Sequence, residues 1–159
     1  MIYWFFGYPG IGKDYCASHL ARIGHFPHID ADDFLTDEDR EKLLNKSFSV
    51  EDRLLKLGRI IQHLKQMQKH HENIAVADSL PDNVSRGLII NSFSGKVKLI
   101  LVTTDDRTHI KRISNRKKHF FTIDLLEDYK KKWEKVNVVH AEFVNNDSND
   151  FDERLRKLF

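Results

Sequence analysis

Short, mostly apolar runs alternate along this chain with longer segments in which apolar residues recur every three or four positions. The short runs are typical of buried strands, and they occupy residues 2–6, 26–30, 74–78, 97–103 and 138–144. The longer segments predict helices at residues 13–23, 37–45, 50–71, 83–93, 105–116, 123–135 and 150–159. Because strands and helices alternate throughout, the pattern predicts an α/β fold. We expect a three-layer sandwich, in which a five-stranded parallel sheet carries helices on both faces.

Length and composition indicate one globular domain. A chain of 159 residues can build one hydrophobic core but not two, so we expect a single domain over residues 1–159. With 40% hydrophobic and 31% charged residues, the composition excludes a disordered chain. No apolar run approaches the roughly twenty residues of a membrane span, and the N-terminal run lacks a basic leader. We therefore expect a cytoplasmic protein with no membrane partner, and the single cysteine, Cys16, agrees with a reducing compartment.

A glycine-rich segment after the first strand is the strongest candidate for chemistry. Residues 7–13 read Gly-Tyr-Pro-Gly-Ile-Gly-Lys, and the three glycines let the chain curl around an anion with its N–H groups directed inwards. The helix that follows adds the positive end of its dipole, and Lys13 would lie along the β- and γ-phosphates. The pattern predicts a nucleoside triphosphate site, with a plain glycine-rich turn as the alternative. The predicted phosphate-binding residues are Gly7, Pro9, Gly10, Ile11, Gly12, Lys13 and Asp14.

Asp14 stands where such loops usually carry the Ser or Thr whose hydroxyl contacts Mg²⁺. A carboxylate is a harder oxygen ligand for Mg²⁺, yet it also adds negative charge beside a polyphosphate. Two interpretations follow. Asp14 is either a working metal ligand or a residue that impairs binding of the magnesium triphosphate.

Carboxylates follow the predicted strands at the edge where open α/β sheets place their chemistry. Asp30 and Asp32 end the second strand on the same side by alternation, and Asp78 ends the third. Phosphoryl transfer needs a divalent metal and a carboxylate that orients or deprotonates the attacking hydroxyl. We expect Asp14, Asp30 and Asp78 to hold the metal and Asp32 to be functional, although hydrogen bonding within its loop explains Asp78 equally well.

Other polar residues have simpler explanations. Asp33 and Asp37 precede predicted helices and are expected to cap them. His70 and His71 lack the spacing of a helical zinc site, and the chain has no cysteine pair, which argues against zinc. His119 lies in a basic loop at residues 117–122, where it would touch a phosphate or a sugar, or cap that loop.

Positive charge is concentrated between residues 107 and 135, although the formal net charge is only +2. Arg112 and Arg116 lie four residues apart on one face of a predicted helix. They predict a cationic surface that closes on the transferred phosphate. A solvated helix face explains the lysines at residues 130–132 at least as well.

With this loop, the Asp-x-Asp and the paired arginines, the chain resembles the small P-loop kinases over nearly its whole length. It is most similar to gluconate kinases and their shikimate kinase-like relatives. Their lid pattern, Arg-x-x-x-Arg-x-x-His-Phe followed by Leu-Leu, resembles residues 112–126 and puts a lid at about residues 116–123. Residues 30–32 resemble their Asp-Gly-Asp, residues 52–53 their Asp-Arg, and residues 77–86 their third-strand loop.

This resemblance implies a P-loop NTPase fold of the small-molecule-kinase type, with ATP and Mg²⁺ as cofactors. It also implies that Lys13 and Arg116 serve ATP, together with Arg112, and that Asp32 receives the acceptor hydroxyl. The residues that the resemblance places with the substrate are Asp32, Asp33, Arg53, Asp78, Arg86 and His119.

A second resemblance leaves other functions open. The loop sequence is also similar to adenylate kinases and polynucleotide 5′-hydroxyl kinases, as are Asp32–Asp33, Asp78 and residues 123–129. The first hypothesis is an ATP-dependent kinase of a hydroxyl on a small polar metabolite. The second has a nucleotide or nucleic-acid 5′-hydroxyl as acceptor, and the modest net charge makes nucleic acid the less favoured partner. The third is a nucleotide-binding module that is catalytically impaired by Asp14.

Overall fold

The computed structural model describes residues 1–115, 122–146 and 148–159. Its strands are β1 (Ile2–Phe6), β2 (His28–Asp30), β3 (Ile74–Asp78), β4 (Val97–Thr103) and β5 (Ala141–Val144). Its helices are α1 (Lys13–Gly24), α2 (Asp37–Leu44), α3 (Val50–Met67), α4 (Asn83–Ser92), α5 (Asp106–Ser114), α6 (Ile123–Lys131) and α7 (Phe151–Arg156). A short 3-10 helix, Ala31–Phe34, follows β2 directly.

The five strands form one parallel sheet in the order β2-β3-β1-β4-β5. This confirms the α/β fold and the parallel sheet predicted from the sequence. β1 lies in the centre and ends level with β3, since Phe6 pairs with Asp78. From β1 the chain builds one side of the sheet and later crosses to the other through β4. The loop after β1 therefore lies where the strand order reverses, the position at which such sheets open a binding crevice.

Alternate residues of β1 enter two separate cores, one on each face of the sheet. Trp4 packs with Leu57 of α3 and Ile89 of α4, whereas Phe5 packs with Leu20 of α1 and Leu155 of α7. This is the two-residue period of a strand buried on both sides. The three-layer arrangement follows from it. None of the helices in the described ranges combines the length and apolar character needed to cross a bilayer.

Several elements are shorter than the sequence pattern predicts. The predicted helix at 123–135 ends at Lys131 because the chain after it is tied to the loop after β3, where Glu134 N–H donates to the carbonyl of Pro81 at 2.8 Å. The predicted strand at 138–144 begins only at Ala141. The predicted helix at 50–71 ends at Met67, whose carbonyl accepts hydrogen bonds from the next turn.

The predicted caps at Asp33 and Asp37 are wrong. Asp30 caps the 3-10 helix by accepting from Asp32 N–H, and Thr36 caps α2 in a reciprocal capping box with Asp39. Asp37 is the first residue inside α2. The cap of α2 therefore lies one residue earlier than the pattern suggested.

Candidate active site

The glycine-rich segment after β1 forms a tight loop that ends at the first turn of α1. Gly10 and Gly12 have φ angles of 81° and 90°, which L side chains rarely adopt. A Cβ at Gly10 would lie 2.4 Å from Cγ1 of Ile113, and one at Gly12 would lie 2.2 Å from Nδ2 of Asn145. Gly12 is the N-cap of α1, so the helix begins at Lys13 as predicted. The N-terminal N–H groups of α1 and their dipole meet this loop, which suits an anion.

Helix α5 and the residue after β5 hold this loop from behind through its carbonyl groups. Nε2 of His109 lies 2.7 Å from the carbonyl oxygen of Pro9. Arg112 Nη1 and Asn145 Nδ2 both donate to the carbonyl of Ile11, at 3.0 and 2.9 Å. Burial lowers the pKa of His109, so its neutral imidazole donates Nε2–H to Pro9. The backbone of the loop is fixed by side chains from two distant parts of the chain.

Arg112 was predicted to bind ATP, and the structure places it at the glycine-rich loop of residues 7–13, which we call the phosphate loop after its predicted ligand. One of its N–H groups already supports that loop through Ile11. Arg116, His119 and most of the predicted lid lie outside the described residues, so their assignments remain predictions.

A cavity of about 390 Å³ opens from the phosphate loop towards the ends of β2 and β3. Its size lies within the roughly 300–1,000 Å³ range of small-molecule pockets. The polar residues that line it are Lys13, Asp14, Asp30, Asp32, Arg53, Lys56, Asp78, Ser79 and Tyr129. The structure therefore brings eight of the predicted site residues to one space. These are Pro9, Gly10, Lys13, Asp14, Asp30, Asp32, Arg53 and Asp78.

The 3-10 helix after β2 fixes the position of Asp32. Arg40 donates to the carbonyl of Asp32 at 3.1 Å, and Arg59 donates to the carbonyl of Phe34 at 2.9 Å. Asp30 accepts from Asp32 N–H at 3.0 Å. Burial raises the pKa of the Asp30 carboxyl, and the nearby carboxylates of Asp32 and Asp14 add to that shift. Asp30 and Asp32 thus reach one cavity through a turn, not through strand alternation.

Two buried ion pairs join α3 to the last residue of β3 and to the loop after it. Lys56 Nζ lies 2.8 Å from Oδ1 of Asp78, and Arg53 Nη1 lies 2.6 Å from Oδ2 of Asp82. Oδ1 of Asp78 also accepts from Ser79 N–H at 2.7 Å. Its other oxygen, Oδ2, is buried and has no hydrogen-bond partner among the described residues. A buried acceptor without a donor is energetically costly, which marks Oδ2 as an atom that a ligand can satisfy.

Asp14 has a histidine beside it. Its Oδ1 lies 3.0 Å from Nε2 of His28, the first residue of β2, while about half of the Asp14 side chain is exposed. Mg²⁺ in kinase sites is commonly held by one or two carboxylates plus phosphate oxygens, and Asp14 and Asp30 both line the cavity beside Lys13. Their oxygens fit such an ion. Within the described residues, no three His, Cys, Asp or Glu side chains are grouped so as to hold a metal by themselves.

Two residues that the resemblance placed with the substrate lie elsewhere. Arg86 is fully buried and donates to the carbonyls of Leu80, Pro81 and Glu134. Its guanidinium also lies over the ring of Trp133, 5.0 Å from the centroid. Asp33 is exposed and does not line the cavity. In this structure Arg86 therefore braces the loop after β3 from inside the protein.

Lys56 and Tyr129 also line the cavity, although neither was predicted from the sequence as a site residue. Lys56 lies three residues after Arg53 on the buried face of α3, so a lysine on an apolar helix face was the available signal. Burial raises the pKa of Tyr129, and the Ser79 hydrogen bond and the charge of Arg53 only partly oppose this shift. Its phenol is protonated at neutral pH.

Several solved structures with similar folds are kinases. A gluconokinase from Sinorhizobium meliloti is 19% identical, with a TM-score of 0.78 over 98% of this chain and 91% of that one. A sugar kinase from Janibacter is 17% identical, with a TM-score of 0.83 over 98% and 92%. An APS kinase from Mycobacterium tuberculosis, in complex with AMPPNP and APS, is 16% identical, with a TM-score of 0.70 over 99% and 94%. Neither a protein-family profile nor a curated protein matches the sequence. At these identities the likeness concerns the fold, and the chain has the fold of the small P-loop kinases of the gluconate and shikimate kinase type.

Proposed function

We propose that this protein is an ATP- and Mg²⁺-dependent phosphotransferase that moves the γ-phosphate to a hydroxyl of a small polar metabolite. One observation carries the proposal. The phosphate loop with Lys13 and the fixed carboxylate of Asp32 line the same cavity of about 390 Å³. Phosphoryl transfer depends mainly on holding donor and acceptor together in one electrostatically suitable space.

Each group in this cavity has a definite task. The loop N–H groups and the Lys13 ammonium would bind the phosphates of the donor. Asp32 would accept the proton of the acceptor hydroxyl while that oxygen forms its bond to the γ-phosphorus. The bond from the γ-phosphorus to the bridging oxygen breaks, and its electron pair remains on ADP. Magnesium triphosphate supplies the transferable phosphoryl group together with partial neutralisation of its charge.

Asp14 and Asp30 are the residues that would hold the metal. Both line the cavity beside Lys13, and although burial is the main cause of the raised pKa of Asp30, the nearby carboxylates of Asp32 and Asp14 add to it. A divalent cation would relieve that repulsion. Arg112, with Arg116 and His119 of the predicted lid at residues 116–123, would complete the phosphate site when substrate is bound.

Calorimetric titration tests the donor half of the proposal. ATP is titrated with and without Mg²⁺ into the wild-type protein, into Lys13→Ala and into Lys65→Ala, whose lysine is exposed on α3. We expect Mg²⁺ to strengthen binding, Lys13→Ala to weaken it by at least about tenfold, and Lys65→Ala to leave it unchanged. Binding that is absent from the wild type, or equal in Lys13→Ala, would refute the proposal.

Asp14 favours a second candidate, a nucleotide-binding module without turnover. Its carboxylate in the first turn of α1 would repel a triphosphate that arrives without enough metal. Replacement by serine separates the two candidates. If phosphate transfer rises markedly in Asp14→Ser, the wild-type residue impairs the site; if transfer collapses, Asp14 is a working metal ligand.

A further inference from the structure

The part of the cavity beyond the phosphate loop is formed by Asp32, Arg53, Lys56, Asp78, Ser79 and Tyr129, which we call the acceptor end. Both of its cations are already paired within the protein. Arg53 binds Asp82 with side chains that are 10% and 5% exposed, and Lys56 binds Asp78 with side chains that are 6% and 4% exposed. Buried charges in such close pairs have little attraction left for a third charged group.

The remaining charge at the acceptor end is negative. Among the described residues, Asp78 offsets Lys56, and Asp82, which does not itself line the cavity, offsets Arg53, so the carboxylate of Asp32 is left without an ion-pair partner. An acceptor that carries a carboxylate or phosphate would bring a like charge into a space of low dielectric constant. An uncharged acceptor avoids that repulsion.

The hydrogen-bonding groups of the acceptor end also favour an acceptor that carries hydroxyl groups. The buried Oδ2 of Asp78 requires a donor, which a carboxylate cannot supply. Lys56 and Arg53 each give a single N–H to a carboxylate partner, and both side chains retain further N–H donors at the cavity wall. A hydroxyl donates and accepts at once, so a compound with neighbouring hydroxyl groups satisfies both kinds of group.

The lysine also decides between two roles for Asp78. Sequence analysis offered Asp78 as a metal ligand, yet an ammonium nitrogen lies 2.8 Å from one of its oxygens. A divalent cation on the same carboxylate would be repelled by that ammonium. The metal is therefore better placed on Asp14 and Asp30, which leaves Asp78 to the acceptor.

We propose, on the basis of the phosphotransferase function above, that the acceptor is an uncharged polyol, one of whose hydroxyls donates to Oδ2 of Asp78. Its reacting hydroxyl gives its proton to Asp32, and the same oxygen receives the phosphoryl group. Lys56 is thus a specificity-determining residue, because its charge neutralises Asp78 without attracting an anionic acceptor.

Paired acceptors test this proposal. The wild-type protein is assayed with ATP and Mg²⁺ on alditols and on the aldonates of equal carbon number and configuration, which differ in one terminal group. We expect kcat/KM to be at least about tenfold higher for the alditols. Equal rates, or a preference for aldonates, would overturn the inference, and so would nucleotide binding without transfer to any alditol.

Changing the ion pair should change the preference. Asp78→Asn leaves Lys56 as an uncompensated cation and should shift the alditol-to-aldonate ratio by about tenfold towards aldonates. The double variant Asp78→Asn with Lys56→Gln is neutral again, so it should recover the preference for alditols. Asp37→Asn, an exposed acid outside the cavity, is the matched control. A ratio that stays the same in Asp78→Asn contradicts the proposal. Should that variant fail to fold, a preference for aldonates in the double variant contradicts it equally.

The calorimetric titration distinguishes failure of the phosphotransferase function from failure of the acceptor assignment. If ATP does not bind, the phosphotransferase function fails and this inference fails with it. If ATP binds in a Mg²⁺- and Lys13-dependent manner and aldonates are the better acceptors, only the inference about the acceptor is lost.

Discussion

The main chain shapes one end of the cavity, and paired side chains shape the other. At the phosphate end, the main chain of residues 7–13 makes the shape, and side chains from α5 and the residue after β5 fasten it from behind. At the acceptor end, long side chains on α3 reach the carboxylates of Asp78, the last residue of β3, and Asp82, in the loop after it. Backbone geometry suits a ligand group that is always the same, such as a polyphosphate, whereas side-chain pairs can be exchanged to suit different acceptors.

This difference predicts that substitutions at the two ends fail in different ways. Changes at the phosphate end should alter nucleotide affinity, and changes at the acceptor end should alter turnover and selectivity. A single substitution that changed nucleotide affinity and acceptor selectivity equally would show that the two ends act as one unit.

Removing the carboxylate of Asp32 should have the largest effect. Asp32→Asn keeps the size of the side chain but cannot accept the hydroxyl proton, so transfer should fall by about 10²- to 10⁴-fold. ATP affinity, measured by calorimetry, should change little because Asp32 belongs to the acceptor end. A variant that transfers phosphate at nearly the wild-type rate would show that Asp32 is not the base.

Arg86 supports the acceptor end from inside the protein, so its loss should appear in stability. Arg86→Met removes donors to three backbone carbonyls and should lower the free energy of unfolding by about 3–5 kcal/mol. Arg107→Met removes an exposed arginine and should change the free energy of unfolding little. Urea unfolding of both variants gives the comparison, and equal stability of the two would contradict the structural role of Arg86.

A single methyl group should disturb the phosphate end. Gly10→Ala places a Cβ 2.4 Å from Ile113 on a backbone with φ of 81° and should cost about 1–3 kcal/mol, chiefly as weaker nucleotide binding. Gly87→Ala is the control, because a Cβ there meets no atom within 4 Å and α4 gains a better helix former. Nucleotide binding as strong in Gly10→Ala as in Gly87→Ala would mean that the loop is more adaptable than its contacts indicate.

The smallest expected effect is a pH dependence that arises behind the phosphate loop. Burial lowers the pKa of His109 from its ordinary 6.5, so the unfolded chain binds more protons than the folded one below that pH. The free energy of unfolding should therefore fall as the pH drops through 6.5 towards the folded pKa. His109→Gln should flatten this slope in urea titrations over a pH series. A slope that is unchanged in the variant would assign it to other groups.

The strand β1, the tight glycine-rich loop and the start of α1 at Lys13 were predictable from the sequence because they are local. The apolar run of β1, the glycines and Lys13 are consecutive, and each imposes its conformation on its neighbours. The parallel sheet was equally predictable, since β1 and β3 are apolar runs and the crossovers contain periodic segments.

The acceptor end was harder to predict because it depends on contacts between residues far apart in the chain. Nothing in the pattern connects Lys56 with Asp78, or Arg53 with Asp82, until α3 packs beside β3. Arg86 was assigned to the substrate from its place in a resembling segment, yet packing turned its guanidinium inwards. The end of α6 shifted for the same reason, since the long-range hydrogen bond from Glu134 N–H to Pro81 holds the chain after it, whereas local hydrogen bonds to Met67 end α3.

The hydrogen bonds that hold the phosphate loop in place have a consequence for the thermodynamics of binding. The carbonyls of Pro9 and Ile11 are engaged by His109, Arg112 and Asn145 before any ligand arrives. A loop already held in one shape loses little conformational freedom on binding, so nearly all of the attraction for phosphate would appear as affinity. The temperature dependence of phosphate binding would then report changes in solvation, because little ordering of the backbone remains to be done.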